Sequence, residues 1–175
     1  MARTELERTV LPSLLDRLTD QEPRVPADPP ITRAESVRRF RAGVLRDVEW
    51  LLNTRAPYHR PPPGLDAVRR SAYAYGLPDT TGLAVATAEG RAELVHWVEE
   101  VIATHEPRLT DVRVALADAS QMSAPQVHFT LTALLRMDPS PEQVVFDTVL
   151  DMASGGYAVR DGDGRGADPR GGAVA

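Results

Sequence analysis

The residues of this chain that could do chemistry are carboxylates and histidines, because the sequence contains no cysteine. Without cysteine there is no thiolate nucleophile, no disulfide framework and no Cys-based metal centre. Four histidines, at positions 59, 96, 105 and 128, are scattered along the sequence, and His96 and His105 are too far apart to share one helical metal-binding face. The sequence also lacks a glycine-rich phosphate loop and the motifs of serine hydrolases and zinc proteases. We therefore predict no cofactor and no metal site.

A carboxylate pair of the glycoside-hydrolase type is the enzymatic alternative. That chemistry needs two carboxyl groups about 5 to 9.5 Å apart, one of them in an apolar pocket that raises its pKa. Asp147 and Asp151 share one face of a predicted strand, where they would lie roughly 13 Å apart. Glu99 and Glu100 are adjacent on a predicted helix and point in different directions. We therefore predict that the chain is not an enzyme, with a muramidase-type hydrolase as the less favoured alternative.

The charge balance argues against two classes of partner. All 20 basic residues are arginine, Asp and Glu total 25, and the formal net charge is -5, whereas nucleic acids and anionic membranes require a concentrated positive surface. Arginine is the cation suited to bidentate ion pairs at protein interfaces. No run approaches the roughly 20 apolar residues of a membrane span, and the lack of cysteine fits a reducing cytoplasm.

A tripeptide with two opposite charges around a proline, Glu106-Pro107-Arg108, separates the helical half of the chain from the strands. Pro107 disfavours the helical conformation at Glu106, so the preceding helix must end there. In an extended chain, Glu106 and Arg108 would point to the same side roughly 6.5 to 7 Å apart. This pattern predicts either a solvated junction or a stiff pair of charges for a protein partner.

A short amphipathic segment at the N-terminus carries Leu11, Leu14, Leu15 and Leu18 at helical spacing. One or two helical turns are marginal in water, so these leucines need a surface to cover. The segment Gln21 to Pro30 contains four of the chain's 15 prolines and indicates an extended tether. We predict that residues 1–31 form a docking arm. Its partner-binding residues would be Leu14, Leu15, Asp16, Arg17 and Leu18.

Two long helices are predicted from capping signals and apolar periodicity. Thr32-Arg33-Ala34-Glu35 has the spacing of a capping box and opens a helix over residues 33–53. Thr87 can cap a second helix over residues 88–104, where three glutamates near its C-terminal end require a cation. Arg108 is the nearest candidate. Between the two helices, we expect at most a short helix and a turn.

After Pro107 the apolar period changes from 3.6 to 2, which predicts strands around residues 112–117, 127–133 and 144–152. The connection Asp118 to Pro125 is short enough for an antiparallel hairpin. We predict an α+β fold in which two long helices pack on one face of a small antiparallel sheet of about three strands. The domain would span residues 32–156, followed by a disordered tail over residues 157–175.

Five motifs in order resemble one family. They are Ser13-Leu14-Leu15-Asp16-Arg17-Leu18, the run from Arg46 to Arg55, Tyr75-Gly76-Leu77-Pro78-Asp79, Glu106-Pro107-Arg108-Leu109 and the run from Phe146 to Asp151. Together they resemble the type VI secretion baseplate subunit TssE, of the lysozyme-like family that also includes a phage T4 baseplate wedge protein. The run Leu51-Leu52-Asn53-Thr54-Arg55 and the leucine arm are typical of the secretion branch.

The resemblance implies a structural role. It implies that the element Glu106, Pro107 and Arg108 contacts a helical core bundle of other wedge subunits, and that the chain initiates polymerisation of the contractile sheath in the bacterial cytoplasm, in a membrane-docked baseplate. We expect the sheath to add a strand at the third strand, which we predict to be an edge. Its contact residues would be Val144, Phe146, Asp147, Val149 and Asp151. The alternatives are a related phage-tail-like contractile system and a small adapter domain of the same fold.

Overall fold

The computed structural model describes residues 9–19, 23–24, 30–59, 61–80, 82–117 and 126–162. The chain divides into two compact units, Met1–Asp47 and Val48–Ala175. The long helix α2, Arg33–Asn53, runs through the point of division. Its bounds are those predicted from its capping signal and apolar stripe.

The first unit contains a short helix and the first part of α2. Helix α1 is Leu14–Leu18 and is capped by the Ser13 hydroxyl, which accepts from the Asp16 N–H. The Thr32 hydroxyl caps α2 by accepting from the Glu35 N–H, with an N···O distance of 3.2 Å. The predicted N-terminal cap of α2 is therefore confirmed.

The second unit contains the remaining helices. A short helix α3, Asp66–Arg69, and a single 3-10 turn, Ala72–Ala74, occupy the segment where little structure was predicted. Helix α4, Ala88–His105, begins at Thr87, whose hydroxyl accepts from the Gly90 N–H. Gly90 is buried so close to the Ala84 carbonyl that a side chain there would clash with backbone, so this glycine is needed for the close approach. The predicted cap and the predicted start of this helix are confirmed.

In the described part of the chain, four strands form one antiparallel sheet in the order β1-β2-β3-β4. They are β1, Leu109–Leu116; β2, Gln126–Leu135; β3, Glu142–Asp151; and β4, Gly156–Asp161. Alternate residues face one apolar core, as the period of two predicted. The buried members on the inner strands are Val127, Phe129, Leu131, Ala133, Leu135, Val144, Phe146, Thr148 and Leu150. The α+β class is confirmed.

The prediction of about three strands was one strand short. Residues that we assigned to the tail form β4, because Tyr157 and Val159 are only 5% and 6% exposed and fill the core beside β3. The ordered chain therefore extends past the predicted boundary at residue 156. Residues 163–175 of the predicted tail lie outside the described residues.

The prediction that β3 is an edge strand was wrong. β3 pairs with β2 along its length and with β4 from Phe146 to Asp151. From Phe146 to Asp151, both sides of its backbone are therefore occupied within this chain, and Val144 and Phe146 are core residues. Among the residues that the structure describes, the edges of the sheet are β1 and β4.

Two other predicted segments lie wholly or largely outside the described residues. These are the connection Asp118 to Pro125 and most of the tether from Gln21 to Pro30. Within the described part of the chain, none of the helices combines the length and apolar composition needed to cross a bilayer.

Candidate functional site

The tripeptide Glu106-Pro107-Arg108 forms a closed ion pair at the end of α4. The Arg108 Nε donates to Glu106 Oε1 at 2.7 Å, and its Nη2 donates to Oε2. Glu106 is only 5% exposed, and the Arg108 side chain is about one-fifth exposed. Glu106 Oε1 also accepts from the Arg108 backbone N–H at 3.2 Å. Three donors from one residue therefore hold a buried carboxylate.

This geometry differs from the expected parallel display of two charges. Glu106 is the C-cap of α4 and Pro107 lies in a turn, so the chain bends and Arg108 folds back onto Glu106. The predicted cation at the helix end is present, because Arg108 forms an ion pair with Glu106. The exposed member of the tripeptide is Pro107.

The turn is also fixed to the sheet. The Leu109 N–H donates to the Glu106 carbonyl at 3.1 Å, and the Arg136 N–H, just after β2, donates to the Arg108 carbonyl at 2.8 Å. These backbone bonds join the end of α4 to the start of β1 and the end of β2. Pro107 is therefore presented on a rigid base.

In the first unit, the arm presents leucine side chains on the surface. Leu14, Leu15 and Leu18 are 69%, 48% and 74% exposed. The Asp16 side chain, in contrast, is only 18% exposed and pairs with Arg46 on α2 at 2.7 Å. The acidic face of α1 thus holds the helix on α2, and its leucines stay uncovered in the described part of the chain. Arg17 is exposed as well.

The contact between α1 and α2 depends on a small residue. Gly43 lies under the Asp16 carboxylate, and a Cβ at this position would come within 2.9 Å of Asp16 Oδ2. Burial raises the pKa of Asp16, but hydrogen bonds from Ser13 and Arg46 and the charge of Arg46 outweigh this effect, so its pKa is lowered from 3.8. The carboxylate is therefore held in its ionised form.

The β1 edge is partly covered by side-chain and backbone groups. The backbone of Val114 faces away from β2, and its N–H donates to Glu99 Oε1 on α4 at 2.9 Å. The register of β1 shifts between Thr110 and Arg113, and Asp111 in that bulge has a φ of 53°. A bulge with a left-handed residue bends an edge strand away from regular pairing.

The β4 edge is more open. The Gly162 N–H bonds to the Val145 carbonyl at 2.9 Å, so even-numbered residues of β4 bond to β3. The backbone groups of Tyr157, Val159 and Asp161 therefore point away from the sheet. Within the described residues, those of Val159 have no hydrogen-bond partner.

The residues predicted on β3 do not form a contact surface together. Asp151 lies where β3 enters the turn to β4, and its Oδ1 accepts from the N–H groups of Ala153 and Ser154. Those backbone hydrogen bonds lower the pKa of Asp151. Asp147 and Val149 lie on the face opposite the core, where the Thr130 hydroxyl bonds to Asp147 at 3.3 Å.

A cavity of about 420 Å³ lies between α3, the preceding proline-rich loop and the end of α4. Its wall includes Arg69, Arg70, Glu100 and His105. Burial lowers the pKa of His105, against a smaller opposing effect of a backbone hydrogen bond at Ala74. No group of three or more acidic, histidine or cysteine side chains placed to hold a metal ion occurs among the described residues. Two carboxylates, Asp66 and Glu100, are among the residues that line the cavity.

Sequence reasoning did not predict that the side chains of Asn53 and Glu99 form hydrogen bonds with backbone groups of the edge strands. The Asn53 carboxamide bonds to the backbone of Tyr157, and Glu99 bonds to Val114. Asn53 belongs to the run that carried the family resemblance, but a contact between a helix end and a strand about a hundred positions later leaves no periodic signal in the sequence.

The fold and these surfaces define an α+β protein with a rigid turn, an exposed apolar arm and a sheet with two edges. The model of the family described as baseplate wedge protein gp25 matches residues 38–140, which is more than half of the chain. This chain therefore belongs to the gp25 family of baseplate wedge proteins. It is a structural component of a phage-tail-like baseplate, and its partners are other baseplate components. Comparisons with curated proteins and with solved structures give no match.

Proposed function

We propose that this chain is the wedge subunit of a type VI secretion baseplate, a contractile injection machine. In this role it docks to the core bundle of the wedge and initiates polymerisation of the contractile sheath. It works in the bacterial cytoplasm, in a baseplate docked to the membrane. It acts by binding and catalyses no reaction.

The observation that carries the proposal is the closed Glu106–Arg108 pair. It lies in the range that the family model matches, and it fixes a turn whose exposed residue is Pro107. A rigid turn loses little conformational freedom on binding, so its contacts contribute fully to affinity. The charges of Glu106 and Arg108 compensate each other within the buried pair. A partner that contacts Pro107 and the partly exposed side of Arg108 therefore does not have to desolvate two separate charges.

The exposed leucines of α1 support a second contact with the wedge. A helix of only five residues is too short to be stable alone, and the Asp16–Arg46 pair anchors it with its apolar side chains outward. Exposed leucines at this spacing fit a groove between helices of a partner.

The sheet supports the proposed role in sheath initiation. An open edge can pair its backbone with an extended segment of a sheath subunit. This pairing belongs on β4 rather than on β3, because β3 is paired on both sides and the β1 edge carries a bulge and the Glu99 contact.

The proposal is tested by reconstituting the wedge from the full chain and its partner subunits, and by scoring wedge assembly and sheath polymerisation separately. Pro107→Gly removes the exposed ring and loosens the turn, and we expect it to lower wedge affinity about tenfold, the effect of losing roughly 1.4 kcal/mol. Pro141→Gly, at another exposed proline of the second unit, is the matched control. Wedge affinity unchanged by Pro107→Gly would count against docking through this turn.

Catalysis is tested on the same purified chain. We expect no hydrolysis of peptidoglycan. Clearing of cell walls that disappears when one carboxylate is replaced would overturn the non-enzymatic proposal.

A further inference from the structure

Asn53, the last residue of α2, bonds to the edge of the sheet. Its Nδ2 donates to the Tyr157 carbonyl at 2.8 Å, and its Oδ1 accepts from the Tyr157 N–H at 2.9 Å. The same Nδ2 donates to the Glu49 carbonyl at 2.9 Å. Both amide hydrogens are therefore used, and the carboxamide has only one orientation that satisfies all three bonds.

The groups that Asn53 occupies are the ones that an added strand would need. In antiparallel pairing, a residue exchanges its N–H and its C=O with a single residue opposite. Tyr157 points these two groups away from β3, because its even-numbered neighbours on β4 make the bonds to β3. The Asn53 carboxamide thus reproduces the hydrogen bonds of one residue of a neighbouring strand.

The next outward-facing residue along β4 is Val159. The described part of the chain offers no partner for its N–H or its C=O. Val159 contributes its side chain to the core, whereas Arg160 beside it is exposed on the other face. An extended segment pairing here would place an apolar residue opposite Val159 and an acidic residue near Arg160.

We propose that Asn53 sets the register of strand addition on β4. It blocks Tyr157, so an incoming extended segment of a sheath subunit begins its pairing at Val159 and cannot slide toward the β3–β4 turn. A slide of two residues would keep the same side chains facing the core, so side-chain pattern alone does not exclude it. Occupation of one backbone position does exclude it. The inference depends on the proposed role in sheath initiation.

The first test measures the blocked position in the full chain without a partner. Amide hydrogen exchange at Tyr157 should be slow for an edge residue, and Asn53→Ala should speed it about five- to tenfold, the effect of losing one hydrogen bond. Thr54→Ala is the matched control, because it removes a side-chain bond to the Trp50 carbonyl at the same helix end and none to β4. Exchange at Tyr157 unchanged by Asn53→Ala would overturn the inference.

The second test measures register directly. The full chain with Arg160→Cys is oxidised with the sheath subunit of the same machine, which carries single cysteines along its extended segment. We expect one crosslinked position with Asn53 present and, with Asn53→Ala, a second position two residues away. A single unchanged position in both proteins would overturn the register role, as would two positions already present with Asn53.

The two proposals fail in different ways. If the sheath subunit does not crosslink to Arg160→Cys and no sheath forms on the wedge, the proposed role in sheath initiation is wrong. If a sheath forms on the wedge without any crosslink to Arg160→Cys, sheath initiation stands and the assignment to β4 and Asn53 is overturned. Melting curves of each variant confirm that it is folded before it is scored.

Discussion

Among the described residues, Glu106 is the one charged residue that is buried, and Arg108 is the cation that pairs with its carboxylate. Replacing Arg108 by alanine leaves that buried charge without its guanidinium partner. Breaking a buried ion pair in this way costs about 3 kcal/mol or more. We therefore expect Arg108→Ala to lower the free energy of unfolding by this amount, as measured by urea denaturation of the isolated protein.

Two comparisons test whether the cost arises from burial. Arg38→Ala removes an exposed pair with Glu35 on α2, and we expect little change in stability. The double variant Glu106→Leu, Arg108→Met removes both charges together and should recover most of the loss, because neither partner is then left unpaired. An Arg108→Ala protein as stable as the Arg38→Ala protein would contradict the burial argument. The double variant also allows partner binding to be measured in a folded protein.

The lowered pKa of Asp16 leads to a prediction of how acid affects the position of α1. Its pKa in the folded protein lies below 3.8, chiefly because Ser13 and Arg46 overcome the effect of burial. A lowered carboxyl pKa stabilises the folded state fully at pH values above 3.8 and loses that contribution as the pH falls through the folded pKa. We expect α1 to become sensitive to proteolysis in that acidic range. In Asp16→Asn, the sensitivity should already be present at neutral pH and should no longer change with pH.

At the scale of elements, the contribution of β4 to stability can be measured by truncating the chain before or after this strand. The sequence beyond Gly162 is mostly Gly, Asp, Arg and Ala, so ending the chain there should leave the melting temperature almost unchanged. Ending it at Gly155 removes the buried side chains of Tyr157 and Val159. Burial of two such side chains contributes about 3 to 5 kcal/mol. We expect a large fall in melting temperature for this shorter chain, measured by circular dichroism. Equal melting temperatures for the two truncations would contradict the assignment of β4 to the core.

The elements that could be predicted from sequence are those whose signals are local. Thr32 and Thr87 cap α2 and α4 through bonds to residues three positions later, and regular apolar spacing marks both helices. β4 was missed because it has only two buried residues, Tyr157 and Val159, between segments rich in glycine. The edge assignment of β3 failed with it, because the position of a strand in a sheet depends on how many strands follow.

The candidate site was predicted in composition but not in geometry. The tripeptide at 106–108 is where the chain turns from α4 to β1, as its proline indicated. Its closed ion pair depends on a bend that Pro107 permits but does not dictate, so the sequence was equally compatible with two separate charges. The contacts of Asn53 with Tyr157 and of Glu99 with Val114 exist only after the sheet has formed, and spacing cannot predict them.

At the scale of the whole molecule, we expect substitutions in the arm to weaken binding to the wedge without destabilising the fold. Leu14 and Leu15 are 69% and 48% exposed, so replacing both by aspartate should leave the melting temperature nearly unchanged. Wedge affinity should fall at least about tenfold, since two apolar side chains would no longer be buried against a partner. Leu65→Asp is the matched control, because Leu65 is also 48% exposed and lies outside the arm. Unfolding of the isolated double variant would show that the leucines belong to its own core.

The side chains that cover the two edges of the sheet also bear on how the free subunit behaves before it meets its partners. An uncovered edge strand is a template for pairing with another chain, and a second copy of the same protein offers such an edge. Glu99 on one edge and Asn53 on the other each occupy a backbone position that such self-pairing would need. If the chain initiates the sheath as we propose, it must remain single until the baseplate is built. We therefore expect these two hydrogen-bonding side chains to delay self-association while leaving Val159 accessible.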